Sequence, residues 1–519
     1  MGQLKISYKK IIDVLSENNL LVEHNIKNLD EEIEFVSDDS RNIVKNTLFF
    51  CKAAHFKEEY LTDAIKKGAV CYDSERKYDL KDYDCNYIIV NNILRSVALI
   101  APLYYGYPYK DLNLVGITGT KGKTTTAYFI RNILDEFTQS KTGFSSNIEK
   151  YTGKRSEPSQ INTPEPCDLQ QFFYEAKESG INRFTMEVSS QAYKRDRVYG
   201  IKFDNGIFLN IGEDHISPLE HENFEDYFSC KLEFIKNCAN IVINRETDFF
   251  ERVLEAAESS ETLKQITLFG GEKVKDKCDY YYCDVKKEKN GKEALTFYIK
   301  NDKTNYSKKF AIKIYGLFNV ENAAAAVAMC KTLGVDDGSI RKGLMKTVIP
   351  GRMTVFENNG VTVIVDYAHN LLSFTKLYES LKLDYPGRRI ISVGGAPGNK
   401  AQQRRKDFAD KVGVNSDYVY LTEDDPQYED AVKICEEIAG YMQDSQYEIV
   451  PDRTEAVTKA ISGAESGDVI VLLAKGAETY IKSNGKLEPY ESDLKLAHDI
   501  LFGKSFVKPL FAGAGSSRP

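Results

Sequence analysis

Between Gly116 and Thr126 the chain reads Gly-Ile-Thr-Gly-Thr-Lys-Gly-Lys-Thr-Thr-Thr, directly after the apolar run Asn-Leu-Val and at the opening of a helical pattern. A strand, a glycine-rich turn and a helix in that order gather backbone N–H groups and a helix N-terminus around one point, which is how a chain cradles phosphate oxygens. Within the turn, Lys123 supplies a cation for the outer phosphates and Thr124 a hydroxyl for Mg2+. The general pattern places its first glycine where this chain has Ile117; here glycines stand at 116 and 119 instead.

This unit commits its surroundings to an α/β class. Further apolar runs, RFTMEV from Arg183, GIFLN from Gly206 and NIVIN from Asn240, each precede a loop and a helical pattern. Such alternation predicts a parallel sheet with right-handed crossovers. Between Tyr280 and Ile314, alternating segments around Asn290-Gly291 predict a β-meander. After Gly351 the alternation resumes with VTVIVD, RIISVGG, YVYLTE and DVIVLLAKG. Asp366, Gly394, Asp424, Asp425, Lys475 and Glu478 fall at or just past the ends of these runs, where open α/β sheets bind ligands.

With 519 residues the chain exceeds what one core organises, so two or three domains are the prior, and three blocks of pattern place them at 1–109, 110–350 and 351–519. The first is short and mixed in pattern, with an Asp38-Asp39-Ser40-Arg41 turn, an apolar run Thr47 to Cys51 and a helical stretch Tyr60 to Ala69. The start is amphipathic and carries mixed charge, and no run approaches the roughly 20 apolar residues of a membrane span, so the expectation is a cytoplasmic protein without a membrane partner. A formal charge of −8 weighs against nucleic acid. Ten cysteines without framework spacing predict reduced thiols. The small, polar end, FAGAGSSRP, is expected to be disordered.

The loop GITGTKGKTTT resembles that of the Mur ligase family and its folylpolyglutamate synthetase relatives, and the resemblance extends along nearly the whole chain. It implies a three-domain architecture with a P-loop central domain and a Rossmann-like C-terminal domain, and ATP and Mg2+ as cofactors. It gives the nucleotide to Gly119, Thr120, Lys121, Gly122, Lys123, Thr124 and Thr125, with Asn319 and Asn322 of FNVEN, Arg352 of PGRM and Asp366 of VDYAH. TMEVSSQA resembles the family's EVSS segment, which implies Glu187 as a magnesium ligand and Ser190 as a substrate contact. In FLNIGEDHISPLEHENFEDYFSCKLEFI, His215 would be a second metal ligand and Lys231 the lysine that becomes carbamylated. Lys123, Glu187, His215 and Lys231 form the implied catalytic set, and Thr124, Glu187, His215 and Lys231 the metal set.

The first block looks like the domain that holds a UDP-linked substrate, with Ser40 assigned to it alongside Asn162, Thr163, Ser190 and Arg197. Departures from the family pattern are Gln191 after the paired serines, Asn162 in a TTPE-like loop, and Asn399 near a usual arginine. Which of Lys400, Arg404 and Arg405 holds the incoming carboxylate is therefore open. TEDDPQYED and AKGAE resemble the amino-acid-selecting elements of the branch that adds a diamino acid to a muramyl dipeptide. Members taking meso-diaminopimelate read DNPR; here Asp424-Asp425-Pro426-Gln427 removes the arginine, while Asp424, Asp425 and Glu478 offer acceptors to a side-chain ammonium. L-Lysine is the expected substrate, then L-ornithine. A related ligase with another acceptor and a mechanical P-loop ATPase are the competing readings. Small molecules are the expected partners of a monomer.

Overall fold

The computed structural model describes residues 4–52, 56–80, 83–159, 161–214, 216–217, 220–288, 294–314, 316–442 and 445–503. Asn290-Gly291, His215 and the tail FAGAGSSRP lie outside the described residues. Three principal sheets follow one another along the chain. The first has five strands, in the order Leu21–His24, Asn86–Val90, Ala69–Ser74, Thr47–Phe50 and Phe35–Ser37; only the first pairs antiparallel. The helical stretch expected from Tyr60 to Ala69 runs from Glu58 to Lys67, because Gly68, at φ +122°, ends it and Ala69 opens the next strand.

The central sheet has eleven strands. Its core is parallel, running Gly143–Ser145, Arg183–Glu187, Asn113–Thr118, Phe203–Phe208, Cys238–Asn244, Gln265–Gly271 and Tyr280–Glu288. The expected meander is present as Tyr280–Glu288, Ala294–Asn301 and Tyr306–Ile312, paired antiparallel. Buried on both faces, the parallel strands read as continuous apolar runs rather than alternating ones.

A third sheet of six strands spans Thr354 to Leu472, parallel except for Thr354–Asn358, and uses all four apolar runs after Gly351. All ten cysteines are unpaired thiols, eight of them buried. No helix among the described residues is long and apolar enough to cross a membrane.

One packing detail positions the site. Gly116 and Gly206 are register partners on adjacent strands, and a Cβ on either would strike the helix Phe224–Lys236 or its end: Phe234 at 2.6 Å from position 116, Cys238 at 2.4 Å from position 206. The glycine displaced from the phosphate loop thus serves close helix–sheet packing. That approach brings Lys231, on the same helix, beneath the loop.

Candidate active site

The phosphate loop joins the strand Asn113–Thr118 to the helix Lys123–Thr138. Gly119 and Gly122 adopt φ of +152° and +87°, conformations that side chains rarely take. A Cβ at Gly122 would also lie 2.2 Å from the Asn322 side-chain oxygen, so the loop sits directly against the helix Phe318–Thr332. Asn322 in turn donates to Asn319 at 3.1 Å, and both are buried. Asn210 clamps the other side: its oxygen accepts from the Lys121 N–H at 2.8 Å and its amide donates to the Lys121 carbonyl at 3.2 Å. Lys123 Nζ folds back onto the carbonyls of Gly119 and Thr120, at 2.7 and 3.1 Å. Burial lowers its pKa, with Glu187 opposing. Thr120 donates to or accepts from Tyr227 at 3.0 Å, and Thr125 is buried in the helix's first turn.

Glu187, fully buried at the end of its strand, collects donors from three segments. Thr124 Oγ1 is 2.8 Å away, the Asn147 N–H 3.0 Å and the Asn162 amide 3.2 Å. Thr163 donates to the Glu187 carbonyl at 3.0 Å and accepts from the Ser189 N–H at 3.1 Å. Arg197 donates to the Thr163 carbonyl and pairs with Glu165 at 2.6 Å. Glu165 also meets Lys52 at 2.5 Å, and Lys52 meets Asp38 at 2.7 Å, so alternating charges tie the first block to the centre. Ser40 stands apart: its carbonyl accepts from Lys67, and it does not line the main cavity.

Lys231 is 2% exposed, with Nζ 2.9 Å from the Gly119 carbonyl and 4.9 Å from the Tyr227 ring centre. Burial drives its pKa well below the usual lysine range, and the neighbouring Lys123 charge adds to that. Asp214, just before the undescribed His215, reaches into the last domain, meeting Arg404 at 2.7 Å and the Asn370 amide at 2.6 Å. Lys121 stands 3.5 Å from Asp214 and 3.2 Å from His369 Nε2; burial pushes its ammonium down to about 7 against the pull of Asp214.

On the last domain, Arg352 lies 4.3 Å over the Tyr367 ring and 3.5 Å from Thr124 Oγ1, so it reaches the phosphate loop. Asp366 accepts from the N–H groups of Met353 and Ala368, both at 2.8 Å, and burial raises its carboxyl. It holds the start of the domain in place and does not line the cavity.

Asp424, Asp425 and Glu478 surround a residue that the spacing did not single out as an ion partner. Lys475 Nζ, fully buried, sits 2.9 Å from Asp425 and 2.6 Å from Glu478. Burial opposes its charge, yet Glu478, Asp424 and Asp425 together raise its pKa. Burial, then Asp425, pushes Asp424 up to about 6; Asp425 itself is held low by Lys475 in spite of burial. Lys482 adds a second ammonium group 4.0 Å from Asp425, while Asp424 makes no such pair among the described residues and feels the charges of Lys475 and Arg453.

These parts converge on a cavity of about 380 Å³. Lys123, Asn162, Ser190, Arg197 and Lys231 line it from the central domain, and Asp424, Asp425 and Glu478 from the last domain. Of the three basic residues left open, Arg405 is committed to Glu429 and Glu437, whereas Lys400 and Arg404 line the cavity. Asn147, Asn210 and Asp214 were not singled out in the sequence because each acts through a partner distant along the chain, and the pairing of Lys475 with Asp425 was hidden for the same reason.

A model of the Mur ligase middle domain matches residues 117–330, and one of the Mur ligase glutamate ligase domain matches residues 351–476. A UDP-N-acetylmuramyl-tripeptide synthetase of Lactobacillus delbrueckii subsp. bulgaricus is 37% identical over 512 residues, covering 96% of this chain and 99% of that protein. A UDP-N-acetylmuramoyl-L-alanyl-D-glutamate–L-lysine ligase of Enterococcus faecalis is 39% identical over 480 residues, 91% of this chain and 92% of that protein. Among solved structures, a MurF ligase of Thermotoga maritima in complex with ADP shares the fold at a TM-score of 0.58 and 20% identity, covering 85% of this chain and 93% of that one. With both domain models matched and two relatives aligned along more than nine tenths of its length, the chain belongs to the Mur ligase family.

Proposed function

We propose that the protein is an ATP-dependent ligase that joins L-lysine to the D-glutamyl γ-carboxylate of UDP-N-acetylmuramoyl-L-alanyl-D-glutamate, in cytoplasmic peptidoglycan precursor synthesis. The observation that carries this reading is a single cavity lined both by Lys123 of the phosphate loop, with Lys231 beneath it, and by the acidic cluster of Asp424, Asp425 and Glu478. The printed name of the Enterococcus faecalis relative supports lysine as the added amino acid, and the ADP in the Thermotoga maritima ligase supports ATP.

An amide does not form from a carboxylate and an ammonium in water without activation. In this reading the γ-carboxylate takes the terminal phosphoryl group of ATP and ADP leaves. The lysine amine, having lost a proton, adds to the acyl carbon, and the tetrahedral adduct expels phosphate. Residues mainly position and neutralise: Lys121, Lys123 and the loop N–H groups take phosphate oxygens, with Arg352 beside them and Asn319 and Asn322 bracing the nucleotide side. Asn162, Thr163, Ser190 and Arg197 hold the peptide end of the UDP substrate and Ser40 its uridine end. Asp424, Asp425 and Glu478 receive the lysine side-chain ammonium, and Lys400 and Arg404 remain for its carboxylate.

The Thr124 hydroxyl and the Glu187 carboxylate, 2.8 Å apart, are hard oxygen donors and fit Mg2+. Bound there, the ion screens two anions as they approach one another. An unmodified Lys231 does not suit a second such ion; a carbamate on it, with His215, does.

The test is phosphate release from ATP by the purified protein. Release that requires both the UDP-linked dipeptide and L-lysine is expected. Release at the same rate without either acceptor would show a plain ATPase and overturn the reading.

A further inference from the structure

Behind Ser190, at the cavity wall, stand two side chains that the reaction scheme above leaves unused, His221 and Asp226. His221 is fully buried, edge-on to Tyr227 with ring centres 5.3 Å apart. Its Nδ1 lies 3.0 Å from Asp226 Oδ2 and its Nε2 lies 2.9 Å from Ser190 Oγ. Asp226 stands at the start of the helix Phe224–Lys236, where Lys194 donates to both its oxygens at 2.9 and 3.0 Å and the Glu222 N–H adds a further bond at 3.3 Å.

These contacts determine where the protons sit. Burial works against the Asp226 charge, but Lys194 and His221 hold its carboxyl below the usual range. An ionised carboxylate only accepts, so in the neutral imidazole the proton is on Nδ1, facing Asp226, and Nε2, facing Ser190, carries the lone pair. Ser190 has one proton to give, and Nε2 is its acceptor. What the Ser190 oxygen then offers the cavity is lone pairs alone.

We propose that His221 is a positioning residue that locks Ser190 as an acceptor-only group, so that Ser190 takes an amide N–H of the nucleotide-linked peptide substrate and disfavours its carboxylate oxygens. A freely rotating serine would serve either polarity; the bond to His221 removes that choice. The carboxylate to be activated is thereby left to the basic side chains that line the cavity beside it, Lys123 and Arg197. This rests on the ligase reading above.

A double-mutant cycle tests it. The full-length protein is prepared as wild type, Ser190→Ala, His221→Asn and the double variant, with thermal melting to confirm folding. Each single substitution is expected to raise KM for the UDP-linked dipeptide about tenfold, the scale of one hydrogen bond to a substrate, with KM for ATP within about twofold. The double variant should be no worse than Ser190→Ala, because His221 acts only through Ser190. His221→Gln, whose longer amide can still accept from Ser190, should restore most of the loss. Multiplying effects in the double variant, or a Ser190→Ala enzyme with unchanged KM, would overturn the proposal. If His221→Asn fails to fold, His221→Phe keeps the ring and its edge contact while removing both nitrogens, and carries the same expectations. Should the wild type show no ligation, the ligase reading falls by itself; direct titration of the same four proteins with the UDP-linked dipeptide then reads the coupling.

Discussion

Lys231 combines two properties that an unmodified lysine rarely needs together: it is sealed from solvent, and its ammonium is destabilised by burial and by Lys123. A neutral amine is the form that adds CO2, so the same environment that makes the charged lysine costly favours a carbamate. Protein equilibrated with 13C-bicarbonate should show one carbamate carbon resonance that is absent from Lys231→Ala, and that variant should be nearly inactive. An unchanged resonance in Lys231→Ala would place the carbamate elsewhere. Asp424 gives a prediction in pH. Because burial and Asp425 push its carboxyl up to about 6, it takes up a proton as the pH falls through that value, and the acidic cluster loses a charge. KM for L-lysine should therefore rise between about pH 7 and pH 5.5, and Asp424→Asn should flatten that limb while raising KM at neutral pH. By the same sign rule, a raised carboxyl costs stability once ionised, so Asp424→Asn should melt no lower than wild type at pH 8. A KM independent of pH across that range in the wild type would remove Asp424 from ammonium binding.

At the scale of elements, the site depends on how closely one helix approaches the sheet. Gly116→Val would drive a branched side chain into Phe234, already 2.6 Å from where a Cβ would stand, and lift the helix that carries Lys231. Overpacking of this kind costs about 1–3 kcal/mol, seen as a lower midpoint in denaturant, and activity should fall further than stability because Lys231 shifts from Gly119. A variant as active and as stable as wild type would contradict that account. This glycine also shows what was legible in the sequence. Strand, loop and helix were readable from period and punctuation, and so were the parallel runs after Gly351, since local pattern dictates them. The reason for a glycine at 116 was not, because the ring it admits lies more than a hundred residues away. Long-range pairing likewise hid Asn210, whose two bonds to Lys121 brace the phosphate loop, and the Asp425 partner of Lys475, a lysine whose place at a strand end was legible but whose ion pair was not. Glu187 and Lys231 were visible only through the order of motifs they share with a family; nothing in their neighbours' composition marks them.

Across the whole molecule, ion pairs and hydrogen bonds stitch the blocks together at the cavity. Asp38, Lys52, Glu165 and Arg197 form a chain of alternating charge between the first block and the centre, while Asp214 with Arg404 and Asn370, and Lys121 with His369, join the centre to the last domain. The reactants proposed for each block therefore meet where the blocks meet. Selectivity for the added amino acid then rests on one end of the cavity: Asp424, Asp425 and Glu478 offer acceptors to a side-chain ammonium there, whereas a second carboxylate brought beside them meets like charge, a mismatch worth roughly several kcal/mol when desolvated. The most direct test supplies the purified protein with ATP, magnesium and UDP-N-acetylmuramoyl-L-alanyl-D-glutamate, and follows the tripeptide product by mass spectrometry with L-lysine, L-ornithine or meso-diaminopimelate offered separately. L-Lysine should give product fastest, L-ornithine more slowly and meso-diaminopimelate least; meso-diaminopimelate ligated as well as L-lysine would contradict the assignment of the acidic cluster.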